Sequence, residues 1–176
     1  MDNKNVKLLI FSDSHGRIGS MQAVLEKMAG YIDVVLHLGD NVNDIKRLNQ
    51  VCTSASSLNF FYVPGNCDYH NKTDEIIELN GRRILLTHGH VQNVKQGLDI
   101  LRKTAAKNNV DACFFGHTHV AHIEFFKDIL ILNPGSISFP RGRHGASYAV
   151  VEVPANGRFY GNVVELTQHG GRIIQI

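Results

Sequence analysis

Asp13, His15, Asp40, Asn66, His88, His117 and His119 each stand just past the end of a hydrophobic run. Two carboxylates, an amide and four imidazoles make a metal-ligating set. Gathered unpaired in one apolar crevice they would be untenable, because burying even one charge or amide alone costs several kcal/mol. A divalent cation removes that cost by coordinating them, and two cations with a carboxylate between them fit the number of groups better than one. Each residue alone has a plainer reading. An aspartate after a strand caps the next helix, an asparagine after Pro-Gly is a turn residue, and a solitary histidine is a satisfied core or surface group. Repetition at one strand end after another favours metal, with all seven groups converging on one sheet edge.

For these residues to meet, the runs must be strands with a common end. Val6–Phe11 is short, almost uncharged and closed by a glycine-bearing polar cluster, so it reads as a buried strand. An extended backbone beyond it would point Asp13 and His15 the same way. Ile18, Met21, Val24, Leu25 and Met28 recur at helical spacing, with Ser20 as the cap. Asp33–Leu38 is a second strand, Val42–Val51 a weaker helix, 53–57 a loop and Leu58–Val63 a third strand. That alternation is the pattern of a parallel α/β layer.

The pattern then changes. Asn80-Gly81 marks a hairpin of Asp74–Leu79 with Arg82–Thr87. Val94–Lys107 reads as a helix with a Leu98, Leu101, Ala105 stripe, and Val110–Phe115 as the next buried strand. Val120–Phe126 pairs with Ile129–Leu132, and Ala146–Val153 with Arg158–Leu166; Arg172–Ile176 adds a short edge strand. The fold expected is one α/β domain over 1–176, a four-layer α-β-β-α sandwich of two mixed sheets with flanking helices.

The 176 residues are 43% hydrophobic and 19% charged, the balance of a globular protein. A net charge of +2 with no dense Lys/Arg run argues against a nucleic-acid partner. Cys52, Cys67 and Cys113 are odd in number and show no C-x-x-C spacing, which favours a reducing compartment. A strand begins within a few residues of the N-terminus, and no apolar run approaches the ~18 residues a membrane span needs. The location expected is cytoplasmic. An exposed C-terminal edge strand offers a surface for a homodimer or higher homo-oligomer.

Asp13-x-His15, Gly39-Asp40, Gly65-Asn66, His88 after a strand and Gly116-His117-x-His119 together resemble the calcineurin-like metallophosphoesterase signature in order and spacing. Asn66-Cys67-Asp68 and Asn133-Pro134-Gly135-Ser136 are similar to its small bacterial and archaeal phosphodiesterase branch. The resemblance implies that Asp13, His15 and His119 hold one ion, that Asn66, His88 and His117 hold the other, and that Asp40 bridges both. Asp40, Asn66 and His88 are then the catalytic candidates. The ions implied are two divalent cations, manganese first, with nickel, iron or zinc as alternatives. The reaction implied is hydrolysis of a small phosphodiester by a hydroxide bridging the metals.

Arg17, His90 and Arg141 are the candidate substrate contacts, with Arg143 beside them, although a solvated side chain is the plainer reading of each arginine. His37, inside a strand, reads as a core histidine. Many family members carry a histidine at the position of Cys67 that helps protonate the leaving group; a thiol is a poor substitute, so substrates whose leaving group departs unaided are expected, with His70 or His90 as stand-in acids. One rival function is a protein-interaction scaffold, since the retromer subunit of eukaryotic vesicle sorting resembles the same fold. A nuclease is another.

Overall fold

The computed structural model describes residues 4–52, 57–69 and 73–174. Most of the expected 53–57 loop, and His70, lie outside the described residues. Two sheets carry the fold. The six strands of the first are β1 (Val6–Phe11), β2 (Val34–His37), β3 (Asn59–Tyr62), β9 (Ser147–Val153), β10 (Tyr160–Thr167) and β11 (Gly170–Ile173), in the order β11-β10-β9-β1-β2-β3. The second holds β4 (Asp74–Leu79), β5 (Arg82–Thr87), β6 (Ala112–Phe114), β7 (Ala121–Phe126) and β8 (Ile129–Pro134), in the order β4-β5-β6-β8-β7. In each, a parallel core of three strands is extended by antiparallel ones: β1, β2 and β3 are parallel, as are β5, β6 and β8. The sheets are mixed, as expected.

β1 shows how the layers assemble. Its side chains alternate between faces. Leu8 and Ile10 enter a core shared with Ile84, Phe114 and Leu132 of the other sheet, whereas Leu9 and Phe11 pack under Met21, Leu25, Ile45 and Leu48 of the helices. A strand covered on both faces must be apolar throughout, hence the uninterrupted run. Those helices are α1 (Gly19–Met28) and α2 (Asn43–Val51); α3 (Asp99–Lys107) covers the second sheet through Leu101 and Ala105 against Leu85, Cys113 and Ile131. The four layers are therefore those the sequence predicts.

Three local expectations fail. Ser20 does not cap α1: Ile18 occupies the cap position, already in helical conformation, and no side chain bonds the free amides. The chain enters α1 directly from a turn closed by Arg17 N–H on the Ser14 carbonyl, at 3.0 Å, which leaves Ser20 inside the helix. The third helix starts at Asp99, not Val94. Asn93 at φ 53° and Gly97 at φ 140° break the helical path, so 94–98 forms turns. The C-terminal edge strand, β11, begins at Gly170, before the expected Arg172.

Candidate metal centre

The carboxyl ends of β1, β2 and β3 meet those of β5 and β6 at one rim of the sandwich. The seven predicted residues gather there from both sheets, not along the edge of one. Asp13 (φ 55°) and His15 (φ 46°) are not extended, contrary to the alternation argument; both lie in the left-handed region, as do Asp40 (60°), His117 (67°) and His119 (60°). Left-handed backbone is uncommon for non-glycine residues, and a concentration of it marks a site where positioning outweighs local preference.

Two groups of ligand atoms result, each lying within 4.8 Å of one another: Asp13, His15, Asp40 and His119 in one, Asp40, His88 and His117 in the other. Asp40 belongs to both. Its Oδ2 lies 3.6 Å from His15 Nε2 and its Oδ1 3.3 Å from His88 Nε2. Gly65 permits this, since a Cβ there would stand 2.2 Å from Asp40 Oδ1.

Tautomers decide what the atoms can hold. His119 Nδ1 lies 2.6 Å from the Phe139 carbonyl and His88 Nδ1 2.7 Å from the Leu38 carbonyl. A carbonyl only accepts, so both Nδ1 atoms carry protons, and in the neutral rings both Nε2 atoms present lone pairs. The lone pair of His119 faces His15 Nε2 at 3.3 Å and Asp13 Oδ1 at 3.2 Å; that of His88 faces His117 Nδ1 at 3.1 Å and Asp40 Oδ1. Asp13 Oδ1 is fully buried without a hydrogen bond. Imidazole lone pairs thus point at carboxylate oxygens, an arrangement that calls for positive charge between them. A divalent cation in each group fits the residues present.

The electrostatics agree. Burial pushes the Asp13 carboxyl up, but contacts with His119, His88 and Ser12 outweigh it and hold it below the ordinary carboxylate range. The same carboxylate raises His119. Burial, then His88 and Lys95, bring His117 down to about 4, so this ring is neutral near pH 7 and available as a ligand.

Backbone and side-chain clamps fix the loops. Asp68 accepts the amides of Asn41, Val42 and Gly65, tying the Asp40 loop to the Asn66 loop. Asn133 donates to the Gly116 carbonyl at 2.8 Å, and Ser136 Oγ to the Asp13 carbonyl at 2.8 Å, so the Asn133–Ser136 stretch braces both sheets' ligand loops.

A cleft of about 430 Å³ opens over the two groups. Asn66 and Cys67 line it next to Asp40, whose Oδ1 accepts the Cys67 amide at 3.0 Å. Burial, then Asp40, raise the Cys67 thiol. Of the predicted substrate contacts, Arg141 lines the cleft. Arg17 does not; its guanidinium stacks on Phe139, 4.2 Å from the ring centre. His90 sits behind the lining, 5.4 Å from the His88 ring and 6.1 Å from that of His117, and burial lowers its pKa. Arg143 is exposed, outside the lining. Lys95 and Phe139 line the cleft unanticipated, since a lysine in a helically periodic stretch and a phenylalanine after serines carry no spacing signal.

Comparison with known proteins agrees with this geometry. Residues 6–156 match the calcineurin-like phosphoesterase superfamily domain. The chain is 34% identical to the probable metallophosphoesterase YsnB of Bacillus subtilis, over 93% of this chain and 98% of that one. It is 29% identical to the phosphodiesterase YfcE of Escherichia coli, over 84% and 88%. The crystal structure of Vps29 from Entamoeba histolytica complexed with zinc superposes with a TM-score of 0.77, over 97% of this chain and 98% of that one, at 20% identity.

Proposed function

The chain belongs to the calcineurin-like phosphoesterase superfamily and is a metal-dependent phosphoric ester hydrolase, and on that premise we propose that it cleaves small phosphodiesters with two divalent cations. The observation that carries this reading is Asp40, whose two oxygens face imidazole nitrogens of two separate groups of candidate ligands. Asp13, His15 and His119 would hold one ion and Asn66, His88 and His117 the other, with Asp40 between them. Manganese is the first candidate metal. Two bound cations would acidify a shared water and neutralise charge on the phosphoryl oxygens.

The chain's own residues do the rest. The Phe139 and Leu38 carbonyls hold His119 and His88 in the tautomer that presents Nε2. Lys95 and Arg141 set cationic ends at the cleft, where an anionic diester would be oriented. Cys67 lines the cleft at the position where many family members carry the histidine that helps protonate the leaving group. Its raised pKa keeps the thiol protonated near neutral pH, but a thiol is a weak hydrogen-bond donor. Cys67→His should therefore raise turnover of alkyl diesters by about 10²-fold while changing aryl diesters little; an equal gain on both would remove the leaving-group argument.

The direct test restores metal-stripped protein with manganese, nickel, zinc or magnesium and assays aryl phosphodiesters and monoesters in parallel. Metal-dependent diester turnover, lost in Asp40→Asn, is the expected result. Fully metallated protein that turns over neither substrate would hand the lead to the interaction-scaffold reading.

A further inference from the structure

Beside the metal cleft lies a second cavity of about 360 Å³, lined by Val94, Leu98, Phe115, Val120, Thr118 and Lys95, with His122 at its side. Its two walls descend from metal-ligand loops. One is the loop of His117 and His119: Phe115 precedes it, Thr118 lies between the two histidines and Val120 follows them. The other is the 94–98 segment that succeeds His88, the stretch whose periodicity predicts a helix but which turns at Asn93 and Gly97 instead. Lys95 lines both this cavity and the cleft.

We infer that this cavity is a substrate subsite that takes an aryl or similarly flat apolar ester arm, while the phosphoryl group sits in the cleft with Lys95 at the boundary. The inference rests on the phosphodiesterase reading and names its substrate class. Size permits it, since a cavity of about 150 Å³ already accepts benzene. Chemistry favours it: Val94 and Phe115 are buried, Leu98 half-buried and Val120 40% exposed, so an apolar surface reaches solvent beside a charged site. An apolar wall with one cation at its mouth matches a phosphate ester whose arm is uncharged. Thr118 adds a hydroxyl, but it is committed, accepting the Val120 amide at 3.2 Å and the Asn133 amide at 3.1 Å. His122 Nε2 makes no hydrogen bond but is buried from solvent, 3.7 Å from Glu124 Oε2, so a strongly polar arm such as a sugar would find few accessible partners here.

The test uses metal-loaded protein with labelled valine and leucine methyls, titrated with phenylphosphonate and with methylphosphonate. Phenylphosphonate should bind about ten-fold tighter, the increment expected from burying a ring, and should shift the methyl signals of Val94, Leu98 and Val120, which methylphosphonate leaves in place. Val120→Trp, at an exposed position that tolerates bulk, should abolish that preference. In parallel, Val120→Trp is assayed on phenyl and methyl 4-nitrophenyl phosphate. A KM raised about ten-fold for the phenyl compound alone places the retained arm in the cavity; a rise for both places the leaving group there. Equal affinities for the two phosphonates with unmoved methyl signals, or a KM unchanged for both esters, would overturn the subsite. Absence of any diester turnover would instead sink the phosphodiesterase reading, and the phosphonate titration would still report on the cavity.

Discussion

Two polar clusters lie back to back at the ends of β1 and β2, built from nearly the same residue types. One is the metal centre. The other is Ser14, His37 and Asp44, all buried. In the second, donors meet acceptors. The Gly39 amide donates to His37 Nδ1 at 3.3 Å, so Nε2 carries the proton and donates to Ser14 Oγ at 2.9 Å. Ser14 Oγ donates in turn to Asp44 Oδ2, 2.8 Å away, which also accepts the Gly16 amide at 2.7 Å. Only Asp44 Oδ1 is left over, with Arg47 3.7 Å from it. In the metal centre, by contrast, the Nε2 lone pairs of His119 and His88 face the carboxylate oxygens of Asp13 and Asp40. Residue type therefore does not distinguish a structural cluster from a functional one. The direction of every proton does.

The contrast predicts opposite signs for mutations in the two clusters. Asp40→Asn places a donor among acceptors. Diester turnover should fall by about 10²–10³-fold, while the metal-free protein gains stability, as expected where function is built on unfavourable contacts. Thermal melts of the metal-free variant check this, and a lower midpoint than wild type would break the distinction.

The next effect concerns pH. Burial lowers the His37 pKa to about 4 from its ordinary 6.5. A folded-state pKa below the unfolded one means that the unfolded chain takes up the proton first. The neutral ring thus stabilises the fold above about pH 6.5, and this contribution is lost as the pH falls toward 4, by up to about 3 kcal/mol. Urea unfolding of metal-free protein across that window should show the slope, and His37→Gln should flatten it.

Ser14→Ala is the smallest of the three. It strands the His37 Nε2–H and costs about 1–3 kcal/mol of stability. Turnover should stay within about ten-fold of wild type. A loss as deep as that of Asp40→Asn would show that the two clusters act as one.

Much of this was legible in the chain itself. A strand covered on both faces leaves an uninterrupted apolar run, so the strands announce themselves, and the polar groups just past them mark the rim. The seven ligand candidates come from that rule. Left-handed backbone at Asp13 and His15 was not legible, because alternation presumes an extended chain and the convergence comes from tertiary clamps such as Ser136 on the Asp13 carbonyl. Lys95 and Phe139 carry no spacing signal. The partners of His37 were within reach: a histidine inside an apolar strand must find a donor and an acceptor, and Ser14, placed between two candidate ligands, is the adjacent hydroxyl.

The position of β1 has a consequence for how the protein is made. β1 sits in the middle of its sheet, parallel to β2 on one side, while on the other Val6 pairs with Val153 of β9. During synthesis, β1, β2 and β3 leave the ribosome early, but the open side of β1 waits for nearly the whole chain. Until then an apolar strand edge is exposed to any passing partner, the situation in which long-range pairing is slow and nascent chains aggregate. The first ligand loop shares that wait, since Ser136 is translated long after the Asp13 loop it braces. The metal centre is therefore a late product of folding, and a chain halted before β9 would carry all seven candidate ligands without the complete sheet that holds them.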